Sequence, residues 1–270
     1  MSNIAVIGAG KIGEALISGL VNSGVDPETI TATNRTPQRS EELNRRYGVN
    51  TTDDNEAATT NADICFLCVK PHAVTDLIEE LSETIASNET ATVVVSMAAG
   101  VTLGAMTEAA QSAGTPIVRV MPNTPMQVGK GISVVAFGKY VDEDQQELVT
   151  ELLGACGKVA VVPESLIDAA AALSGSGPAF YFLLTEALVD AGVQMGLPRE
   201  TAMLLATGTA EGAGAMLARS GKPPAGLRAD VCSPAGTTVQ AVRELEESGM
   251  RGAFYLSLIH ISEPTRPLYI

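Results

Sequence analysis

The sequence predicts an α/β chain: a doubly wound parallel sheet over residues 1–162, then an all-helical domain over residues 163–255. Three observations carry this. Up to Val162, short runs rich in Val and Ile alternate with longer amphipathic segments, the pattern of strands crossed over by helices. Between the first strand-like run and the first helix-like one stands Gly8-Ala-Gly10-Lys-Ile-Gly13, the turn of a Rossmann-type dinucleotide-binding half. After Val162 the strand-like runs stop, and almost everything that follows has helical spacing.

In order, NIAVIG reads as a buried first strand and KIGEALISGLVNSG as the helix behind it. TITATN and PQRSEELNRRYG repeat the unit. DICFLCV is the next strand, followed by PHAVTDLIEELSETI with Pro71 at a helix start. ATVVVSMA leads into a short helix at VTLGAMTEAAQSAG. PIVRVMP and GISVVAFG are two further strands, DEDQQELVTELLGAC is helical, and KVAVV closes the series. Strands separated by helices of this length are expected to pair in parallel.

The helical part opens with PESLIDAAAALSG and PAFYFLLTEALVDAGVQMGL, apolar on more than one face. So short a segment cannot cover that surface itself, which predicts a homodimer packed through these helices. Gly208, Gly212 and Gly214 would permit close helix approach. From Leu256 the chain reads LSLIHISEPTRPLYI, which continues no helical period and resembles the translation of a transposase-type sequencing adapter. Residues 256–270 are therefore expected to be a non-native tail in place of a native C-terminal helix, and His260 is given no functional weight.

Composition narrows the function. Apolar residues make up 46% and charged ones 18% of 270 residues, a globular balance. Seventeen Lys and Arg against 31 Asp and Glu leave a net charge of −14, which disfavours nucleic acid and anionic membrane as partners. No N-terminal signal pattern precedes the first strand, so a cytoplasmic location is expected. Cys65 and Cys68 have CxxC spacing but lie in a strand-like run, where an odd separation puts the thiols on opposite faces. No metal-ligand cluster or Ser–His–Asp arrangement is readable, and no metal is expected.

The glycine turn defines the first candidate site. Gly8 allows the tight turn, Gly10 lets backbone approach a pyrophosphate, and Gly13 lets helix and strand pack closely. The helix N-terminus, with Lys11 and Ile12 in its first turn, faces the phosphates. An NAD-specific site expects an acid at the end of the second strand. Here the strand runs into Thr33-Asn34-Arg35-Thr36, where a guanidinium and hydroxyls suit a 2′-phosphate. NADPH is the expected cofactor, with NADH possible; Arg35 as a solvated surface residue is the alternative. Val69, Lys70 and Pro71 end the DICFLCV strand, at the edge where cofactors lie in such sheets. His72 reads as a helix-end or packing residue. A second polar turn, VCSPAGTTVQAV at 231–242, runs into a helix N-terminus. It suits an anion, or it is an ordinary cap.

Together GAGKIGEAL at the first strand, VKPH at 69–72, MPNTP at 121–125, GSGPAF at 175–180 and the 231–242 region resemble the pyrroline-5-carboxylate reductases, over about residues 1–254. The resemblance implies reduction of a cyclic imine, 1-pyrroline-5-carboxylate, to L-proline by hydride transfer from NADPH or NADH. It implies dimers through the helical domain, sometimes rings, and an active site between nucleotide domain and dimer. It places the substrate carboxylate at Ser233, Gly236, Thr237 and Thr238, and makes Thr238 the hydroxyl nearest the ring nitrogen, a catalytic assistant. It also places the backbone of MPNTP close to the nicotinamide, with Asn123 as a candidate cofactor contact, and Asn55 near the adenosine end. A two-proline turn explains MPNTP otherwise, and a capping role explains Asn55. Many members carry a second Gly where this chain has Ala235, where the freedom of Gly to take positive φ would matter. The alternatives are another NADP-dependent imine or 3-hydroxyacid reductase, or a non-catalytic NADP-binding regulator. The 3-hydroxyacid enzymes generally use a helical-domain Lys, and none occurs between Pro163 and Gly196.

Overall fold

A computed structural model describes residues 2–112 and 114–262. The chain divides into two compact units, Met1–Gly175 and Ser176–Ile270. The first unit extends past the compositional boundary at Val162, because the helix that follows it packs on the sheet.

In that unit β1 (Ile4–Ile7) is buried along its whole length and leads through the glycine turn into α1 (Lys11–Asn22). α1 buries Ala15, Leu16, Ile17 and Leu20. β2 (Ile30–Thr33) and α2 (Pro37–Tyr47) follow, and α2 stops at Gly48, whose φ of 75° is the left-handed cap glycine allows. The chain continues through β3 (Asn50–Thr52), α3 (Asn55–Thr59), β4 (Ile64–Leu67) and α4 (Val74–Ser87). β5 (Val93–Ser96), α5 (Leu103–Ala109), β6 (Ile117–Pro122) and β7 (Gly131–Phe137) come next. A capping box between Asp142 and Gln145 starts α6 (Glu143–Gly154), and β8 (Gly157–Val161) and α7 (Ile167–Gly175) complete the unit.

The eight strands form one sheet in the order β3-β2-β1-β4-β5-β6-β7-β8. All neighbours are parallel except β6 and β7, which pair antiparallel with Val120 opposite Val135. The doubly wound parallel sheet is as expected, with this one antiparallel pair added. The stretch between Pro122 and Gly131 holds only a short 3₁₀ turn, too little chain for a crossover, so the strand must return beside its neighbour. β3 was not expected at all: its sequence, Asn-Thr-Thr, is polar and lies at the sheet edge.

Each face of the sheet carries its own apolar layer. Val6, Leu16, Phe66 and Val120 belong to one; Ile7, Cys65, Leu81 and Val94 belong to the other. Cys68 packs against the first layer and Cys65 lies within the second, so the CxxC thiols do sit on opposite faces. Burial pushes both thiols up to about 12 and Cys156 to about 11, which keeps them protonated and inert at neutral pH.

The second unit is helical: α8 (Gly177–Gln194), α9 (Arg199–Arg219), α10 (Pro224–Asp230), α11 (Thr237–Glu247) and α12 (Met250–Ser262). α8 and α9 meet where a Cβ on Gly192 would stand 3.1 Å from that of Ala202, beside buried Val189 and Ala206. Among the described residues, a Cβ on Gly208, Gly212 or Gly214 would meet nothing within 4 Å. Tyr181, Phe182, Leu183, Met195, Leu204 and Leu205 are exposed. Residues 164–194 are long and apolar enough to be considered a membrane span, but the stretch is interrupted at Ser176 between α7 and α8. α12 corrects another expectation. It continues past Leu256 to Ser262, because no Gly or Pro occurs between Ala253 and Ser262. Residues 263–270 of the expected non-native tail lie outside the described residues.

Candidate active site

The glycine turn sits at the carboxyl end of β1, and each glycine has a distinct reason. Gly8 has φ +86°, and a Cβ there would lie 2.9 Å from Val69 Cγ1 and 3.2 Å from the Cys68 carbonyl. A Cβ on Gly13 would lie 2.9 Å from the Gly8 carbonyl oxygen and 3.3 Å from Val6 Cγ1, so α1 reaches its seat only without one. Gly10 differs: a Cβ there meets nothing within 4 Å, and the residue is exposed. It is the N-cap of α1, with no side chain capping the helix, so the first-turn amides around Lys11 and Ile12 are left for a ligand. An open, uncapped turn backed by two glycines packed against the protein is what a pyrophosphate requires, and the residues fit a dinucleotide.

Thr33, read from the sequence as one of the hydroxyls beside a 2′-phosphate, instead holds this turn in place. It is buried at the end of β2. Its hydroxyl accepts from the Gly8 amide at 3.1 Å, and its carbonyl accepts from the Ala9 amide at 2.9 Å. A Thr where an apolar residue would fill a buried strand end was the available signal. Asn34 adds a third tie, donating to the Ala9 carbonyl at 3.3 Å while its side-chain oxygen accepts from the Thr36 amide at 3.0 Å. Asn34 thus joins the glycine turn to the loop carrying Arg35 and Thr36, both of which are exposed.

Beside this loop a cleft of about 410 Å³ opens between α2 and β3, bounded by Asn34, Ser40, Glu41, Asn44, Thr52 and Asp53. Arg39, one turn into α2, is committed elsewhere. It pairs with Glu14 of α1 and with Glu42, and Glu14 also accepts from Arg46 at 3.0 Å and Tyr47 at 3.1 Å. Partial burial opposes ionisation of Glu14. The hydrogen bonds from Arg39 and Tyr47 and the two guanidiniums outweigh it and hold the carboxyl below its ordinary range.

Val69 packs over Gly8 from the end of β4, and Lys70 and Pro71 are exposed beside it. Gly8, Gly13, Thr33, Asn34 and Val69 therefore meet at one edge of the sheet. Asn55 is the first residue of α3; its amide reaches Glu80 Oε1 at 3.4 Å, and Asp54, not Asn55, caps the helix. Asn123 is tied into the fold. Its side chain is 8% exposed and engaged on both sides: Nδ2 donates to the Ser174 carbonyl at 2.9 Å, and Oδ1 accepts from the Ile132 amide at 2.8 Å. Its side chain thus serves the fold here, whatever its backbone lies beside.

The second polar turn belongs to the second unit. Gly236 is the N-cap of α11, its amide donating to the Ser233 carbonyl at 3.0 Å. A Cβ on Gly236 would stand 3.1 Å from that same oxygen. No side chain caps α11. The cap is therefore glycine backbone and not a hydroxyl of the turn. Ser233, Thr237 and Thr238 are exposed, and the first turn of the helix presents amides and hydroxyls together. Ala235 has φ +58°, the left-handed region that a residue with a Cβ rarely occupies. Among the described residues no group of three or more metal-ligating side chains gathers.

Residues 164–265 match the family model for pyrroline-5-carboxylate reductase dimerisation, and residues 3–100 match that for NADP oxidoreductase, coenzyme F420-dependent. A pyrroline-5-carboxylate reductase from Corynebacterium melassecola is 56% identical over 255 residues, 94% of each chain. The structure of a pyrroline-5-carboxylate reductase from Coxiella burnetii superposes with a TM-score of 0.92 at 39% identity, covering 97% of this chain and 96% of that one. The pyrroline carboxylate reductase of Plasmodium falciparum, solved with NADP bound, superposes at 0.83 with 27% identity and the same coverage.

Proposed function

This chain belongs to the pyrroline-5-carboxylate reductase family, and from that premise we propose how its residues divide the work. It is an NAD(P)H-dependent oxidoreductase that reduces 1-pyrroline-5-carboxylate to L-proline, the last step of proline synthesis. Bound NAD(P)H supplies the hydride that the imine carbon receives. Gly8, Gly10 and Gly13, with the first-turn amides at Lys11 and Ile12, hold the pyrophosphate. Asn34, Arg35 and Thr36 hold the far ribose, with Asn55, Val69, Lys70 and Pro71 along the same edge. Arg35 makes NADPH the preferred cofactor. NADH is the second, favoured by the two carboxylates, Glu41 and Asp53, that line the adjoining cleft and oppose a phosphate inside it.

Ser233, Gly236, Thr237 and Thr238 receive the substrate carboxylate. The observation that carries this is the start of α11, which among the described residues no side chain caps. These groups are neutral, so they hold an anion while tolerating a cationic ring nitrogen close by. Thr238 orients that nitrogen. An alcohol titrates far too high to act as a matched general acid, and an iminium that arrives protonated needs none. Alignment and exclusion of water then do the rest. The second unit makes the chain a dimer, its exposed Tyr181, Phe182 and Leu204 covered by the partner; we extend this to rings of dimers and a cytoplasmic location. The test is NADPH oxidation driven by pyrroline-5-carboxylate, with L-proline formed in equal amount. Oxidation that ignores the imine, or none, defeats the reading.

A further inference from the structure

Arg39 stands in the first turn of α2, and Arg35 just before the Thr36 that starts that helix, so both residues belong to the same helix end. A cation in a first turn works against the helix dipole and calls for an anion beside it. Arg39 has two. It pairs with Glu14, across on α1, and donates to Glu42 of its own helix at 2.7 Å. Glu14 itself lies in the first turn of α1, the turn proposed to hold the pyrophosphate, and its amide donates to the Gly10 carbonyl at 2.8 Å.

Neither partner is orphaned if the Arg39–Glu14 pair opens. Glu14 keeps Arg46 at 3.0 Å and Tyr47 at 3.1 Å, and Arg39 keeps Glu42. The two side chains are 25% and 21% exposed, so water screens the pair and a solute can reach it. A phosphate dianion is a stronger partner for a guanidinium than a carboxylate already shared among three donors. We propose that Glu14 competes with the 2′-phosphate of NADPH for Arg39, and so limits the preference for NADPH over NADH that Arg35 creates. All the residues concerned lie in the first unit. This rests on the 2′-phosphate site proposed above.

Glu14→Gln also removes a negative charge from the first turn of α1, which would favour every phosphate-bearing ligand alike. Competition for Arg39 favours only one with a 2′-phosphate, and the test separates the two. Adenosine 2′,5′-bisphosphate and 5′-AMP are titrated into the full chain and read by calorimetry. Glu14→Gln should tighten the bisphosphate by about three- to tenfold, the scale of one partly screened guanidinium–phosphate contact, and leave 5′-AMP within about twofold. KM for NADPH should fall in step, and KM for NADH should not. Arg39→Met should cost the bisphosphate more in the Glu14→Gln background than in the parent. Glu42→Gln, at a side chain 44% exposed, should give a smaller gain of the same kind, and decides alone if Glu14→Gln fails to fold. Equal gains for both nucleotides, a loss for the bisphosphate, or the same cost of Arg39→Met in both backgrounds overturn the competition. A parent chain that binds the two nucleotides equally removes the 2′-phosphate site and the competition together. A parent that prefers the bisphosphate, with variants that do not shift it, removes the competition only.

Discussion

Ala235 offers a measurement of backbone strain inside the proposed carboxylate turn. Its φ of +58° places an L-residue in the left-handed region, at a cost of about 1–2 kcal/mol. The residue is exposed, so removing its methyl sacrifices little packing. Glycine adopts the same backbone freely but gives up about 0.4–1 kcal/mol more entropy on folding. The difference leaves Ala235→Gly more stable by about 0.5 kcal/mol or somewhat more, or a rise of ~1–3 °C in Tm. Ala235→Val is the opposing control, since a β-branched side chain is a genuine outlier there and should destabilise by ~2 kcal/mol or more. Calorimetry at one fixed protein concentration reads both, because a dimer's Tm moves with concentration. KM for pyrroline-5-carboxylate should change less than about threefold in the Gly variant, as the turn it reaches is the same. A Gly variant that melts lower, or a Val variant that melts as high as the parent, refutes the left-handed assignment and the strain argued from it.

Three further substitutions test other parts. Arg35→Asp should raise KM for NADPH by far more than for NADH, on the order of tenfold or greater, as a bidentate guanidinium–phosphate contact is lost and a like charge introduced; equal effects on both contradict the assignment. Thr238→Ala should lower kcat by roughly 10- to 100-fold while NADPH titration stays unchanged, since one orienting hydroxyl is removed from the substrate side; unaltered turnover ends its role. Glu14→Gln should cost about 1 kcal/mol at neutral pH, where the carboxylate accepts from Arg39, Arg46 and Tyr47. The sign of its pH dependence follows from a folded-state pKa held below the ordinary 4.5. The stabilisation is full above about that value and is lost as pH falls through the lower, folded one. The Tm gap between parent and variant should narrow as the pH is taken below the ordinary value of 4.5, and a gap that widens on acidification contradicts the hub.

Much of the fold is legible from periodicity because a buried parallel strand must be apolar throughout. Ile4–Ile7, Ile64–Leu67 and Val93–Ser96 are all buried along their length. Where that pressure relaxes, the pattern fails. β3 is a polar edge strand and carries no apolar run. The direction of β7 depends on the length of its connection, which strand composition does not encode. Asn123 stands in a motif that drew attention, but its amide meets Ser174 51 residues away and Ile132 nine away, contacts that no local spacing announces. α12 passed Leu256 because an apolar stretch free of Gly and Pro remains helix-competent whatever its origin.

By itself the amino-acid sequence determined the chemistry on offer: three glycines at the spacing of a phosphate turn, a second strand ending in Asn34-Arg35-Thr36 with no acid, and hydroxyls beside glycine at the start of a late helix. These are local properties of backbone freedom and side-chain type, readable without neighbours. Tertiary structure alone decided which groups are already spent. Arg39 is neutralised by Glu14, Asn123 is consumed by α7, and Thr33 ties down the glycine turn. Hydrogen bonds and ion pairs act over a few ångströms, and only folding brings residues tens of positions apart within that range.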